Sequence, residues 1–320
     1  MPLLDKPLHE LYEYAGINPK PDDFDQYWDR ALAEMAAVDP RVELRPADFT
    51  ANFAEGFDLF FTGVGGSRIH AKYLRPKTAA KPHPAILQFH GYSANSGSWY
   101  EKLGFVAQGI AVVAMDCRGQ GGISEDLGGV RGNTFKGQII RGLDDQADKL
   151  AFRQIFLDTA QLAKIVGAFP EVDQNRLGAM GASQGGALTV ACAALAPHIK
   201  RAVPVYPFLS DYQRVWEMDL AANAYEEIRT YFRHYDPTHS RRAEIFTKLG
   251  YIDIQHLASR IRAEVLMGVT LMDNICPPST QFAVYNKIKS SKDLVIYPDY
   301  GHEPELPGFR DKAFAFLSGL

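Results

Sequence analysis

Cysteine is scarce: Cys117, Cys192 and Cys276 are the only three in 320 residues. An odd number, widely spaced and without a C-x-x-C pair, provides neither a disulfide framework nor a zinc site, and points to a reducing, cytoplasmic location. An excess of one charge is lacking too. Lys and Arg number 34 against 38 Asp and Glu, for a net charge of −4, so nothing favours a polyanionic partner such as nucleic acid. The one locally basic stretch, Arg229 to Arg242, has Glu226, Glu227, Asp236 and Glu244 around it and reads as a solvated helical face. No apolar run reaches the ~18 residues that span a bilayer, so no membrane partner is expected. The N-terminus, Met1-Pro2-Leu3-Leu4, has no basic segment followed by an apolar one, and no secretory signal is expected from it. Internal repeats and low-complexity linkers are also lacking.

What is present suits one large α/β domain over residues 1–320: 46% hydrophobic and 22% charged residues make a globular chain able to bury a sizeable core. Residues 1–50 read as an N-terminal helical arm, with Asp22-Asp23 capping a helix that carries Phe24, Tyr27, Trp28, Leu32 and Met35 at helical spacing. Phe57–Thr62 and Ile69–Leu74, joined by Gly63–Gly66, read as a hairpin. From there strands and helices alternate. Strands are expected over 83–90, 109–116, 176–181, 201–206, 264–270 and 293–298, and helices over 145–168, 183–196 and 309–317. That rhythm means a mostly parallel sheet covered on both faces. Residues 207–260 interrupt it as a long, aromatic-rich helical insertion. It reads either as a cap over a site at the carboxyl ends of the strands or as a plain decoration.

The strongest local signal is Gly181-Ala-Ser183-Gln-Gly185. The bare G-x-S-x-G pattern is weak, but here it follows a strand and opens a helix, the context a nucleophile elbow requires. A serine hydroxyl needs a base to take its proton. In this fold the chain order is Ser, acid, His, and His302, after the last strand and before the last helix, stands where the base belongs. Asp273, at the carboxyl end of the strand 264–270, is the expected acid that orients the imidazole. Asp299, only three residues from His302, is the rival. The oxyanion hole is expected from the backbone N–H groups of Gln184, the residue after the nucleophile, and Tyr92, in the loop after the first central strand. No cofactor or metal is expected. Gly119-Gln-Gly121-Gly122 is not a dinucleotide fingerprint, no H-E-x-x-H or Walker pattern occurs, and His302-Glu303 alone makes no metal site.

With these residues assembled, the chain resembles carbohydrate esterase family 7, the acetyl xylan esterase and cephalosporin C deacetylase group. The resemblance rests on Arg118-Gly-Gln120, Gly181-Ala-Ser-Gln-Gly185, Leu271-Met-Asp-Asn-Ile-Cys-Pro-Pro278 and His302-Glu303, in that order, and covers nearly the whole chain. It implies an α/β-hydrolase fold and an intracellular serine esterase that deacetylates small substrates, namely acetylated xylo-oligosaccharides and cephalosporin C. It also implies a homohexamer whose active sites face an inner cavity, and an acyl pocket lined by Phe208 and Ile275. Ala224 stands where members often carry Pro, which bears on acyl size. A general short-chain carboxylesterase, or a serine peptidase of the same fold, is the alternative. A hydrolase-fold binding module that has lost catalysis is the reading from another class.

Overall fold

The computed structural model describes residues 4–78, 82–132 and 137–320. Helices α1 (Leu8–Glu13) and α2 (Phe24–Ala37) precede strands β1 (Glu43–Ala51), β2 (Ala54–Thr62) and β3 (Arg68–Pro76). Then come β4 (His83–Phe89), α3 (Leu103–Ala107), β5 (Ala111–Met115), α4 (Ala151–Gly167), β6 (Val172–Ala182), α5 (Gln184–Leu195) and β7 (Ile199–Val205). Four helices follow, α6 (Tyr212–Glu217), α7 (Glu226–Tyr235), α8 (Arg242–Gly250) and α9 (Ile254–Leu257). The chain closes with β8 (Glu264–Thr270), α10 (Pro278–Lys287), β9 (Lys292–Tyr297) and α11 (Phe309–Ser318).

The strands form one sheet in the order β1-β2-β3-β5-β4-β6-β7-β8-β9. The first three pair as an antiparallel meander, β3 pairs antiparallel with β5, and every pairing beyond that is parallel. This is the α/β-hydrolase arrangement. The central strands are continuously apolar because both faces are covered: all five residues of β5, Ala111–Met115, are buried. Side chains alternate across the sheet. Leu87 and Val113 join the core shared with α2, α4 and α5, while Ile86 and Val112 join the core under α3 and α11. From β4 the chain moves to β5 on one side and then to β6 on the other. Loops at such a reversal diverge and open a crevice at the carboxyl ends of the strands. Here those loops carry Tyr92, after β4, and Ser183, after β6.

Three expectations from the sequence need correction. The arm of residues 1–50 is helical only as far as Ala37, and Glu43–Ala51 is the edge strand of the sheet. Pro46 cannot donate to the ladder, and the register shifts between it and Thr50. The strand is mostly exposed as well, with no residue buried, so alternation is blurred. Asp23 does precede α2, but its side chain makes no cap hydrogen bond. Its carboxylate instead accepts from the Tyr251 hydroxyl and from Arg30. The helix is held by its apolar stripe, with Phe24, Tyr27, Trp28, Ala31 and Met35 buried and Trp28 stacked on Phe156 of α4 at 6.0 Å. The expected helix over 145–168 begins at Ala151, after a 3₁₀ turn at Ala147–Lys149.

Candidate active site

The strand-to-helix turn between β6 and α5 holds Ser183 at φ 58°, ψ −119°, a sparsely populated conformation for a non-glycine residue. The turn is possible because its flanks lack side chains. A Cβ on Gly181 would fall 2.5 Å from the Gly185 carbonyl carbon, and one on Gly185 would collide with the Phe89 carbonyl. The distorted backbone is tied down on both sides. Ser183 N–H donates to the Val205 carbonyl at 3.0 Å, and the Ser183 carbonyl accepts from Phe208 N–H at 3.0 Å.

His302, on the loop between β9 and α11, sets Nε2 3.0 Å from Ser183 Oγ and Nδ1 2.8 Å from Asp273 Oδ2. The His302 ring lies 4.6 Å from that of Tyr206. The Asp273 carboxylate is fully buried and held by its own loop: Oδ1 accepts the N–H groups of Ile275 and Cys276, both at 2.8 Å. A serine, an imidazole and a buried carboxylate in one line can pass the serine proton to the ring while the carboxylate stabilises the cation formed. Asp299, the rival acid, is exposed, and the bond to the ring comes from Asp273.

The loop after β4 turns tightly, with the Gly91 carbonyl accepting from Ala94 N–H at 3.1 Å and Ser93 at φ 62°. It is pinned by Asp116, whose carboxylate accepts from Ser96 N–H at 2.6 Å and Ile123 N–H at 3.1 Å and binds the ring of His70 at 2.7 Å. These bonds hold the Asp116 carboxyl well below the usual range despite its burial. The Tyr92 hydroxyl donates to Glu227 Oε1 at 3.0 Å. Glu227 comes from α7 of the insertion, is buried, and also accepts from Gln138 and Ile140 N–H. Burial pushes its carboxyl up to about 7.

A sequence model described as acetyl xylan esterase matches residues 1–320. The chain belongs to the acetyl xylan esterase family. It is 62% identical to acetyl xylan esterase 1 from Thermoanaerobacterium sp. JW/SL YS485, whose crystal structure superposes with a TM-score of 0.97 over 99% of both chains. The structure of an acetyl xylan esterase from Paenibacillus sp. R4 gives 35% identity and a TM-score of 0.93 over 98% of this chain and 99% of that one. Acetyl esterase Axe7A of Xylanibacter ruminicola is 26% identical over 294 residues, 88% of this chain and 63% of that protein. The chain therefore spans less than two thirds of that longer relative.

In this family member the residues singled out in the sequence as catalytic, oxyanion or acyl-pocket groups lie at or beyond the carboxyl ends of β4, β6, β7, β8 and β9. Ser183, His302 and Asp273 meet directly. Gln184 is the first residue of α5, where N–H groups have no partner within the helix. Phe208 is fully buried; its N–H is bonded to the Ser183 carbonyl and its ring lies 5.7 Å from Tyr92 and 4.3 Å from Tyr225. Ile275 lies on the acid loop, and Ala224 packs at the edge of the same core. Glu227 was missed, although a signal existed. Residues 227, 228, 231 and 232 are the buried ones of α7, so helical spacing puts this Glu on the apolar face.

Among the described residues, Asp273, Cys276 and His302 have ligand atoms within 4.8 Å of one another. The carboxylate and ring already bind each other, and burial pushes the Cys276 thiol up, so hydrogen bonding accounts for the cluster. All three cysteines are unpaired and buried. Among the described residues no helix is long and apolar enough to cross a membrane. A surface cavity of about 730 Å³ is lined by His83, Ile110 and Arg176 near the amino ends of the central strands, away from Ser183.

Proposed function

We propose that this chain is a serine esterase that removes acetyl groups from small substrates, namely acetylated xylo-oligosaccharides and cephalosporin C, through an acyl-enzyme on Ser183. The observation that carries this reading is the Ser183–His302–Asp273 line, with its 3.0 and 2.8 Å contacts. Ser183 Oγ attacks the acetyl carbonyl as His302 Nε2 takes its proton. The oxyanion is held by the N–H groups of Gln184 and Tyr92. His302 then gives the proton to the departing alcohol oxygen, and a water repeats the sequence on the acyl-enzyme. No cofactor takes part in this scheme. Residues 207–260 form a cap within the single domain 1–320, since their helix α7 reaches Tyr92 through Glu227. Unpaired cysteines suit a reducing compartment, and we place the enzyme in the cytoplasm.

An enzyme limited to acetyl must close the space behind the nucleophile, and we assign that wall to Phe208 and Ile275, with Ala224 beside them. One methylene in an apolar pocket discriminates by ~1–3 kcal/mol, about 10–200-fold. Rates on p-nitrophenyl esters are expected to fall steeply from acetate to butyrate, and Phe208→Ala is expected to raise kcat/KM for butyryl and hexanoyl esters relative to acetyl. Equal rates from acetate to octanoate would replace the deacetylase reading with a general carboxylesterase. Cleavage of aminoacyl amides in place of acetylated xylobiose would favour a peptidase.

The assembly we propose is a homohexamer. It rests on the family resemblance, because the insertion's aromatics Tyr225, Tyr231 and Phe232 are buried inside the chain itself. Light scattering is expected to give a mass near six times 35.6 kDa, and a monomer at micromolar concentration would remove the claim.

A further inference from the structure

Gln120 lies in the loop after β5, contributes no atom to the triad, and spends its whole amide on the surroundings of the oxyanion site. Its Oε1 accepts Ser93 N–H at 3.0 Å and Gln184 Nε2 at 3.0 Å. Its Nε2 donates to Gln184 Oε1 at 2.7 Å and to Gln138 Oε1 at 3.1 Å. Gln120 and Gln184 thus form a reciprocal amide pair, and Gln184 is fully buried. The same carbonyl oxygen touches the residue after Tyr92 on one side and the residue after Ser183 on the other. The loop that carries Gln120 is itself fastened to the Tyr92 loop, with Gly121 N–H donating to the Ala94 carbonyl at 3.0 Å. It is fastened to the helical layer as well, by Arg118, two residues earlier, on Asp158 of α4.

We propose that Gln120 is a positioning residue that fixes the separation of the two oxyanion donors, the N–H groups of Tyr92 and Gln184. The proposal rests on the esterase reading above. The donors arrive on loops from β4 and β6, at the point where the strand order reverses and loops diverge. Backbone pairing ends at Phe89–Gly181, before either donor is reached. Beyond the last ladder bond the two loops are tied by the Gln120 fork and, more weakly, by Gln184 Nε2 donating to the His90 carbonyl at 3.4 Å. Oxyanion stabilisation depends on donors placed before the charge develops, so a loose donor loses most of its value while ground-state binding persists.

The test uses Gln120→Met, which keeps length and removes the amide, and Gln120→Asn, which keeps the amide and shortens its reach. Both are assayed on p-nitrophenyl acetate and with a boronic acid that forms a tetrahedral adduct on Ser183. We expect kcat to fall by about 10–100-fold, less than for outright loss of one oxyanion donor, with KM changed by no more than about twofold. The boronate Ki is expected to rise by the same factor as kcat falls, while labelling of Ser183 by a fluorophosphonate still reaches one per chain. An unchanged kcat in both variants overturns the proposal, as does a lowered kcat with unchanged boronate affinity, or failure of both variants to fold. Failure of the esterase reading looks different: the wild-type chain itself would neither hydrolyse the ester nor take the label.

Discussion

Replacing Ser183 by alanine is expected to lower kcat on acetyl esters on the order of 10⁵–10⁶-fold, and His302→Ala is expected to do the same. The double variant should be little worse than either single one, because the pair acts as a unit. Asp273→Asn is the more informative change. Oδ1 of Asp273 accepts two backbone N–H groups, from Ile275 and Cys276. An asparagine must keep its carbonyl oxygen there and turn its NH₂ toward His302. The ring's Nδ1 then has to accept, its proton moves to Nε2, and the lone pair that should take the Ser183 proton is gone. A loss on the order of 10⁴-fold with an intact fold is expected. Asp299→Ala should leave kcat within about twofold. Steady-state kinetics with matched circular dichroism checks all five variants, and a severe Asp299→Ala alongside a mild Asp273→Asn would move the acid.

Arg118→Ala is expected to destabilise the chain by about 3–5 kcal/mol, the cost of leaving a buried charge without its partner. Nε and Nη2 of Arg118 bind the two oxygens of Asp158 at 2.7 and 2.6 Å, and Nη1 reaches the Val64 carbonyl at 3.1 Å. Asp158 is fully buried in α4. Burial pushes its carboxyl up, and the guanidinium fork opposes that rise. Denaturant titration of Arg118→Ala should show the loss, and Arg118→Met combined with Asp158→Leu should recover most of it, since two apolar groups leave no orphaned charge. A double variant as unstable as the single one would mean the cost comes from lost packing.

The parts of this molecule that were legible in the sequence are those where chain order and local pattern carry the information. Strand β8 was expected over the very residues it occupies, because Glu264-Val-Leu-Met-Gly-Val-Thr270 is a buried apolar run between turns. The nucleophile turn was legible from Gly181 and Gly185, since two missing side chains next to a serine are a local requirement of a sharp turn. What was not legible depends on contacts between distant segments. Nothing near Asp23 reveals that its carboxylate answers Tyr251 instead of capping its own helix. Gln120 stood out only as part of a motif. Its partners Ser93, Gln138 and Gln184 lie 27, 18 and 64 residues away, and no periodicity in one chain encodes an amide pair across such gaps.

The N-terminal arm docks late by construction. Tyr14 hydroxyl and the N–H groups of Ile17 and Asn18 all donate to the carboxylate of Asp211. Asn18 also bonds the Phe246 carbonyl, and the Trp28 indole bonds the Tyr251 carbonyl. The receiving groups sit some 190 to 230 residues downstream. During synthesis the chain grows from its amino end at roughly 5–20 residues per second. This segment therefore waits on the order of ten seconds or more before its acceptors exist. The apolar stripe of α2 has a nearer partner, since Trp28 stacks on Phe156 of α4. A segment made well before its acceptors is thus a late latch of the fold, closed only when Asp211, Phe246 and Tyr251 are in place.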